Sequence, residues 1–281
     1  RGDIPVLREL RKWGLTAEDA RSNGDYNAFI KAAIYGRLEV LKDLRTDWGL
    51  TINDARQLNN KAMGYAIGSS NLDFINELRY GWGLTVEDAR MAVRRGATPN
   101  AKILLYLREW GITLEDIREG RILAKAAEAG DVEVLQLLLD WGMTSDDARS
   151  RDNEALRYAA SNGKVMAMIF LRERWGLTIN DARSNDNRAL ATALVNADLN
   201  VIMELRNNWG ISPLDAFVTW MKLRGVNGRL IDPTSDGAVE YIRRWIATID
   251  VYTTLFDAMS VDDPYENLRR LGMSPQAYPQ L

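Results

Sequence analysis

The sequence predicts an all-α protein built from repeated helical units. Trp-Gly pairs recur along its 281 residues at steps of 35, 34, 28, 31, 34 and 34 residues. A period of roughly 20 to 50 residues is typical of a solenoid, in which each unit buries its apolar face against its neighbours. We therefore expect about six to seven stacked helical repeats. The pairs are Trp13-Gly14, Trp48-Gly49, Trp82-Gly83, Trp110-Gly111, Trp141-Gly142, Trp175-Gly176 and Trp209-Gly210.

An amphipathic segment precedes each Trp-Gly pair. Val132, Val134, Leu135 and Leu138 form one such pattern before Trp141, and this spacing predicts a helix with one buried stripe. A Gly directly after the Trp stands where a helix ends in the left-handed conformation. We therefore expect an outer helix to end at each pair.

A second, short helix is predicted to begin just after each pair. A Thr, or a Ser in the last copy, stands two residues after the Gly, and an Asp follows three residues later. This is the spacing of a capping box, in which the hydroxyl accepts from the Asp amide and the carboxylate accepts from the capping residue's own amide. The pairs are Thr16/Asp19, Thr51/Asp54, Thr85/Asp88, Thr113/Asp116, Thr144/Asp147, Thr178/Asp181 and Ser212/Asp215.

Five of the short helices carry the run Asp-Ala-Arg, in which the Asp is the capping residue, while Arg118 follows Ile117 and the last copy has Phe217. In a stack of helices about 8–10 Å apart, this column of Arg lies beside the column of Asp. We expect ion pairs between neighbouring repeats, and an anion-binding stripe is the alternative. The arginines are Arg21, Arg56, Arg90, Arg149 and Arg183.

A polar loop and an inner helix complete each repeat. In one copy the loop is Ser150 to Asn153, and the small-residue helix that follows ends near Gly163. The 28-residue step lacks the loop, so Arg90 is expected to continue into the inner helix, with Pro99 near the first position of the next helix. The shortening is either neutral drift or a way to shape a pocket.

The inner helix resembles that of the ankyrin repeat. Residues 156–163 and 123–130 carry its Leu-x-x-Ala-Ala-x-x-Gly motif, and the resemblance covers roughly residues 2–211. The Thr-Pro and His of the motif are missing, and the segment of the ankyrin β-hairpin finger predicts a capped helix and loop instead. The array is similar to divergent, Trp-rich ankyrin-like arrays of large DNA viruses and some microbial eukaryotes. It implies an ankyrin-like α-solenoid that binds a protein along its concave side.

Two regions are predicted. Residues 1–211 form the repeat solenoid, which starts inside a repeat because Gly2 to Leu7 aligns with Gly36 to Leu41. Residues 212–281 form the last partial repeat and a helical C-terminal cap. The apolar periodicity of residues 239–259 is typical of a cap that seals the last core face; a docking module with an aromatic face is the alternative.

Composition narrows the function classes. A net charge of −3 gives no basic field for nucleic acid, and no apolar run is long enough to cross a membrane. The chain has no Cys and no His, which removes thiol chemistry and the commonest general base. We expect a non-enzymatic protein without metal or cofactor that binds neither nucleic acid nor membrane. It is expected inside the cell, in the cytoplasm or within a viral particle.

The expected function is binding of a protein partner through the concave groove. The residues after each Ala-Ala position differ from copy to copy while the scaffold residues do not, as a fitted surface would show. Two alternatives are a structural subunit of a large assembly such as a viral particle, and the repeat region of an enzyme whose catalytic part lies elsewhere or in the C-terminal segment. The predicted partner-binding residues are Tyr35, Ser69, Glu128, Tyr158, Asn162, Asn196, Trp245 and Tyr252.

Overall fold

The computed structural model describes residues 4–22, 28–213, 215–216 and 219. Within these residues all regular secondary structure is helical, with no strand, which confirms the all-α prediction. The helices are α1 (Ile4–Lys12), α2 (Ala17–Arg21), α3 (Ala28–Ile34), α4 (Leu38–Thr46), α5 (Ile52–Ala55), α6 (Gln57–Gly68), α7 (Leu72–Asn76), α8 (Val86–Arg94), α9 (Ala101–Trp110), α10 (Leu114–Glu119), α11 (Ile122–Ala129), α12 (Val132–Trp141), α13 (Ser145–Ser161), α14 (Val165–Glu173), α15 (Ile179–Ala182), α16 (Ser184–Val195) and α17 (Leu199–Asn207).

The chain divides into two compact units. Unit 1 is Arg1–Ala126 with Gln136–Met143, and unit 2 is Ala127–Leu135 with Thr144–Leu281. The predicted boundary between residues 211 and 212 is a different division, and most of its C-terminal part, with Trp245 and Tyr252, lies outside the described residues. No helix in the described part of the chain has both the length and the apolar character to cross a bilayer.

We number the repeats as copies 1 to 6, each running from one capping Thr to the residue after the next Trp-Gly pair. The copies are residues 16–50, 51–84, 85–112, 113–143, 144–177 and 178–211. Copy 4 shows the full order of a short helix (α10), an inner helix (α11) and an outer helix (α12). In copy 2 the outer helix α7 continues as a π-helical turn, Glu77–Gly81.

Each outer helix ends as the Trp-Gly pairs predict. In copy 1, Gly49 has a φ of +70°, and the Leu50 amide donates to the Leu44 carbonyl at 3.0 Å. A residue with a Cβ is strained in this conformation, whereas Gly adopts it freely. Positive φ angles are found at Gly14, Gly49, Gly83, Gly111, Gly142, Gly176 and Gly210.

Each short helix begins with the predicted carboxylate cap. The Thr51 amide and hydroxyl donate to the Asp54 carboxylate at 2.7 and 3.1 Å. The hydroxyl therefore acts as a donor to the Asp side chain. It accepts the Asp amide as well, at 3.4 Å for Thr113 and 3.1 Å for Ser212. The carboxylate satisfies a backbone donor that the helix leaves without a partner.

Neighbouring copies pack through their inner helices within each unit. In unit 1, α6 contacts both α3 and α8, and the Phe29 ring meets the Trp82 ring edge-on at 4.7 Å between centroids. In unit 2, α13 contacts α16. Small residues such as Ala159 and Ala193, both fully buried, allow these helices to approach closely. Copies 1, 2 and 3 of unit 1, and copies 5 and 6 of unit 2, are therefore in contact through their inner helices.

Copy 3 is built differently from the others. Its short and inner helices are one continuous helix, α8, as the missing loop predicted. The expectation for Pro99 was wrong, because the next helix begins after it. Asn100 is the N-cap of α9, and its Oδ1 accepts the Ile103 amide at 2.9 Å.

Candidate functional site

The arginines of the short helices pair with the capping Asp of the following copy. In unit 1, the Arg21 guanidinium donates two hydrogen bonds to the Asp54 carboxylate, of 2.7 and 3.0 Å. In unit 2, Arg183 grips Asp215 with bonds of 3.0 and 2.7 Å. Arg56–Asp88 and Arg149–Asp181 repeat the geometry. The predicted ion pairs between repeats are therefore present, and a bidentate geometry of this kind adds directional specificity to the charge interaction.

The continuous helix of copy 3 changes how this pair is made. Arg94, one turn after Arg90, places its guanidinium 2.8 Å from the Asp116 carboxylate, while the Arg90 Nε lies 3.4 Å away. Asp116 has no exposed surface. A buried carboxylate requires a cationic partner, and in copy 3 two arginines share that role.

These contacts shift the pKa of the capping carboxylates downward. At Asp54 the hydrogen bond from Arg21 is the main cause of the lowered pKa, and it outweighs the effect of burial. At Asp116 burial raises the pKa, but the bonds from Thr113 and Arg94 bring it below the ordinary value. The repeated Thr, Asp and Arg are thus engaged in holding the copies together, and this role accounts for their repetition.

Two residues predicted to bind a partner, Tyr35 and Ser69, lie in the described part of unit 1, at the ends of inner helices. Tyr35 directly follows α3 and is 70% exposed. Ser69 is the C-cap of α6 and is also exposed, with its hydroxyl 3.4 Å from the Ala66 carbonyl. Both side chains are therefore exposed at inner-helix ends of unit 1.

In unit 2, hydrogen bonds from two of the predicted residues order the inner-helix ends. The Asn196 side-chain amide donates to the Ser161 carbonyl at 2.9 Å, linking the inner-helix ends of copies 5 and 6. The Asn162 side-chain amide donates to the Tyr158 carbonyl at 3.0 Å. Asn162 and Asn196 are exposed at the ends of these two inner helices, Tyr158 is half-buried, and Glu128 is exposed at the end of α11.

A left-handed turn before the inner helix is the feature that the sequence did not predict. In copy 2, Leu58, Asn59 and Asn60 have φ angles of +53°, +58° and +61°. Copies 5 and 6 repeat it at residues 151–153 and 185–187. Three successive non-Gly residues in this region store strain. The Asn and Asp content of the segment was the available signal, since these residues tolerate the conformation best.

The third residue of this turn is buried in copies 2 and 5. Asn60 is 3% exposed and Asn153 is 7% exposed. The Asn60 side-chain amide lies 3.5 Å from the Met91 sulfur, while its Oδ1 receives no hydrogen bond from the described residues. The Oδ1 atoms of Asn153 and Asn187 are likewise without a donor among the described residues, so the turns of copies 2, 5 and 6 each hold an unused acceptor, which costs free energy.

Comparison of the chain with protein-family models and with curated proteins finds no match.

Proposed function

We propose that the protein is a non-enzymatic protein–protein interaction module that binds its partner through the ends of its inner helices. The observation that carries the proposal is the contrast between repeated and variable positions. The repeated Thr, Asp and Arg hold neighbouring copies together through caps and ion pairs. The inner-helix ends carry a different exposed residue in each copy, such as Tyr35, Ser69 and Asn196. Variable residues on a rigid scaffold are typical of binding surfaces.

The rigidity of the scaffold supports binding. Asn196 is held by the Ser161 carbonyl and Asn162 by the Tyr158 carbonyl, so these amides are ordered before a partner arrives. A preordered surface loses less conformational entropy on association. A partner that meets this surface would therefore bind more tightly than one that meets mobile side chains.

We further propose that the copies stack as an ankyrin-like solenoid with a helical C-terminal cap, which functions inside the cell. Support comes from the inner and outer helix of each copy and from the Leu-x-x-Ala-Ala-x-x-Gly motif of copies 4 and 5. In such a stack, the concave side would present the inner-helix ends. Trp245 and Tyr252 remain proposed partner contacts of the C-terminal segment.

Affinity capture with matched tyrosine variants tests the proposed surface. The immobilised 281-residue chain is exposed to an extract of its native source, and bound proteins are identified by mass spectrometry. A partner should be retained by wild type and by Tyr80→Ala, which removes an exposed tyrosine from an outer-helix end. The double variant Tyr35→Ala/Tyr158→Ala should lose it. Equal retention by all three proteins would overturn the assignment of the surface.

A structural subunit of a large assembly is the second candidate, and the outer helices of unit 2 favour it. Met166 and Met203 are 65% and 39% exposed and line a pocket of about 670 Å³ beside α14 and α17. Exposed apolar side chains in a cluster mark contact surfaces. If the native protein is recovered only in one large particle, with Met166 buried in it, the structural role replaces the interaction module.

A further inference from the structure

A pocket of about 540 Å³ lies beside the left-handed turn of copy 2. The turn and the start of the inner helix form one wall, and the C-terminal end of α8 with the residues after it forms the other. Both walls belong to unit 1. The residues that matter for its chemistry are Asn60, Lys61, Gly64, Tyr65, Arg95 and Ala97.

The shortened copy 3 explains why there is space here. In unit 2, α13 contacts α16, which carries a left-handed turn of its own at residues 185–187. In unit 1, α6 contacts α8, which is continuous and has no such turn. The 28-residue step therefore leaves the turn of copy 2 followed by a copy that has no such turn. This favours the pocket-shaping interpretation of the short step over neutral drift.

A single residue difference keeps the pocket open. In copy 5, Arg157 donates to the carbonyls of Asp152 and Arg151 at 2.8 and 2.9 Å, so its guanidinium lies against the turn. Gly64 occupies the matching position of copy 2, four residues after the last left-handed residue. It has no side chain to cover the turn. A Cβ added there would lie 4.0 Å from the Ala97 Cβ, an ordinary contact.

The charge of the pocket points to an anionic ligand. Lys61 and Arg95 both line it, and none of the described residues that line it is acidic. In copy 5 the position of Lys61 is taken by Glu154, so the sign of the charge beside the turn is reversed. Lys and Arg form strong, charge-assisted hydrogen bonds with carboxylates. A ligand with a carboxylate is the one that this wall favours.

The apolar and uncharged lining residues of the pocket are suited to a peptide. Leu58, Tyr65 and Ala97 offer apolar surface, which an aliphatic side chain would cover. Asn60 lines the pocket with an Oδ1 that has no donor among the described residues, and a backbone amide is a donor of the required kind. The same helix face continues from Lys61 through Gly64 and Tyr65 toward Ser69, since these residues are spaced by one helical turn.

We infer that the pocket binds an acidic peptide segment of a protein partner, with a carboxylate at Lys61 and Arg95 and an aliphatic side chain against Tyr65 and Ala97. This inference rests on the proposed interaction function and adds the chemistry of the partner. It also gives the shortening of copy 3 a functional consequence, because the lack of a left-handed turn in copy 3 leaves space for the site.

The test is a titration of the isotope-labelled full chain, followed by NMR, with the peptide acetyl-Glu-Leu-Asp-amide. Its neutral counterpart, acetyl-Gln-Leu-Asn-amide, is the matched ligand control. We expect shift changes at residues 58–65 and 92–97, and affinity at least about tenfold higher for the acidic peptide, as the loss of a charge-assisted hydrogen bond predicts. Equal affinity for both peptides, no binding of the acidic peptide, or shift changes elsewhere would overturn the inference.

Two protein variants locate the binding. Gly64→Arg copies the side chain that covers the turn in copy 5 and should abolish binding, whereas Gly64→Ala adds only a Cβ and should retain it. Should Gly64→Arg fail to fold, Lys61→Gln/Arg95→Gln serves in its place and should remove the preference for the acidic peptide. Retained binding by Gly64→Arg, or a retained preference in the double variant, contradicts the inference.

The outcome is separable from that of the proposed function. If a captured partner depends on Tyr35 and Tyr158 but the acidic peptide does not bind, only the pocket assignment fails. If the peptide binds as expected but no captured protein depends on the inner-helix ends, the pocket stands and the interaction surface fails.

Discussion

Copies 2 and 5 have the same backbone beside their inner helices but different surfaces. The φ angles of the turn are +53°, +58° and +61° in copy 2 and +54°, +57° and +55° in copy 5. In copy 5, Arg157 covers the turn with two hydrogen bonds, whereas Gly64 leaves it uncovered in copy 2. The repeat therefore sets the backbone conformation of the turn, while one or two side chains decide whether the turn is covered or open.

The ion pairs beside the two turns are alike. Arg56, two residues before the turn of copy 2, donates two hydrogen bonds to Asp88, and Arg149, two residues before the turn of copy 5, donates two to Asp181. Differences between the two regions should therefore arise at the turn itself and in the neighbouring copy, which is shortened in one case and complete in the other.

Acid should destabilise both regions together, and this is the largest effect that we expect. The pKa values of Asp54 and Asp181 are lowered in the folded protein. Their stabilising contribution is therefore complete above the unfolded pKa of about 3.9 and is lost as pH falls through the folded value. Asp43 opposes this trend, because burial and Asp47 raise its pKa. Urea unfolding should show a nearly constant free energy from pH 8 to pH 5, since the chain has no His, and a steep fall below about pH 4. A marked change between pH 8 and pH 5 would contradict this.

Removal of the capping carboxylates should affect the two regions equally. Asp88→Ala and Asp181→Ala each remove a cap acceptor and the partner of an arginine, so we expect a loss of about 2–3 kcal/mol in the free energy of unfolding for each. Glu109→Ala, at an exposed position, is the control and should change it by less than about 0.5 kcal/mol. Chemical denaturation measures all three. Unequal losses would mean that the scaffold itself differs between the regions.

Arg157→Gly should leave the left-handed turn of copy 5 uncovered, as the turn of copy 2 is. It removes two hydrogen bonds to the turn and places a Gly inside a helix, so we expect a loss of about 2 kcal/mol in unfolding free energy. Arg157→Ala separates the two causes and should lose about 1 kcal/mol, the contribution of the hydrogen bonds. If Arg157→Ala costs nothing, the guanidinium does not stabilise the turn.

Leu58→Gly should relieve strain in copy 2, and its effect is the smallest. Leu58 has a φ of +53°, a conformation that costs a branched side chain about 1 kcal/mol and that Gly adopts freely. Part of this gain is offset by the greater freedom of Gly in the unfolded chain. We expect thermal unfolding to show a gain of about 0.5 kcal/mol. Asn60→Gly should gain less, because Asn tolerates this region. Destabilisation by Leu58→Gly would show that its side chain packs usefully.

Much of the scaffold could be predicted from the sequence because it depends on local rules. Gly49 ends an outer helix and Asp54 caps a short one through contacts within a few residues, and the pairing of Arg21 with Asp54 follows from the repeat. The left-handed turn could not be predicted, because Leu58 and Arg151 have no preference for it and are held there by the helices on either side. The prediction that Pro99 stands near the first position of α9 was wrong, because Asn100 caps this helix more favourably.

The candidate site was predicted only in part, for a similar reason. Exposure of Tyr35 and Ser69 follows from their place after an apolar helix face. The pocket near Gly64 depends on the lack of a side chain at this position and on the shortness of copy 3. Neither feature forms a sequence motif. The 28-residue step was the visible signal, but its effect on the neighbouring turn required the three-dimensional arrangement.

Hydrogen–deuterium exchange of the full chain, with and without its captured partner, distinguishes binding at the inner-helix ends from binding at the outer helices. We predict that the partner slows exchange at residues 58–65 of copy 2 and at the inner-helix ends near Ser69 and Tyr158, while the outer helices α14 and α17 are unchanged. Protection confined to α14 and α17, around Met166 and Met203, would contradict the account and place the contact surface on the outer helices.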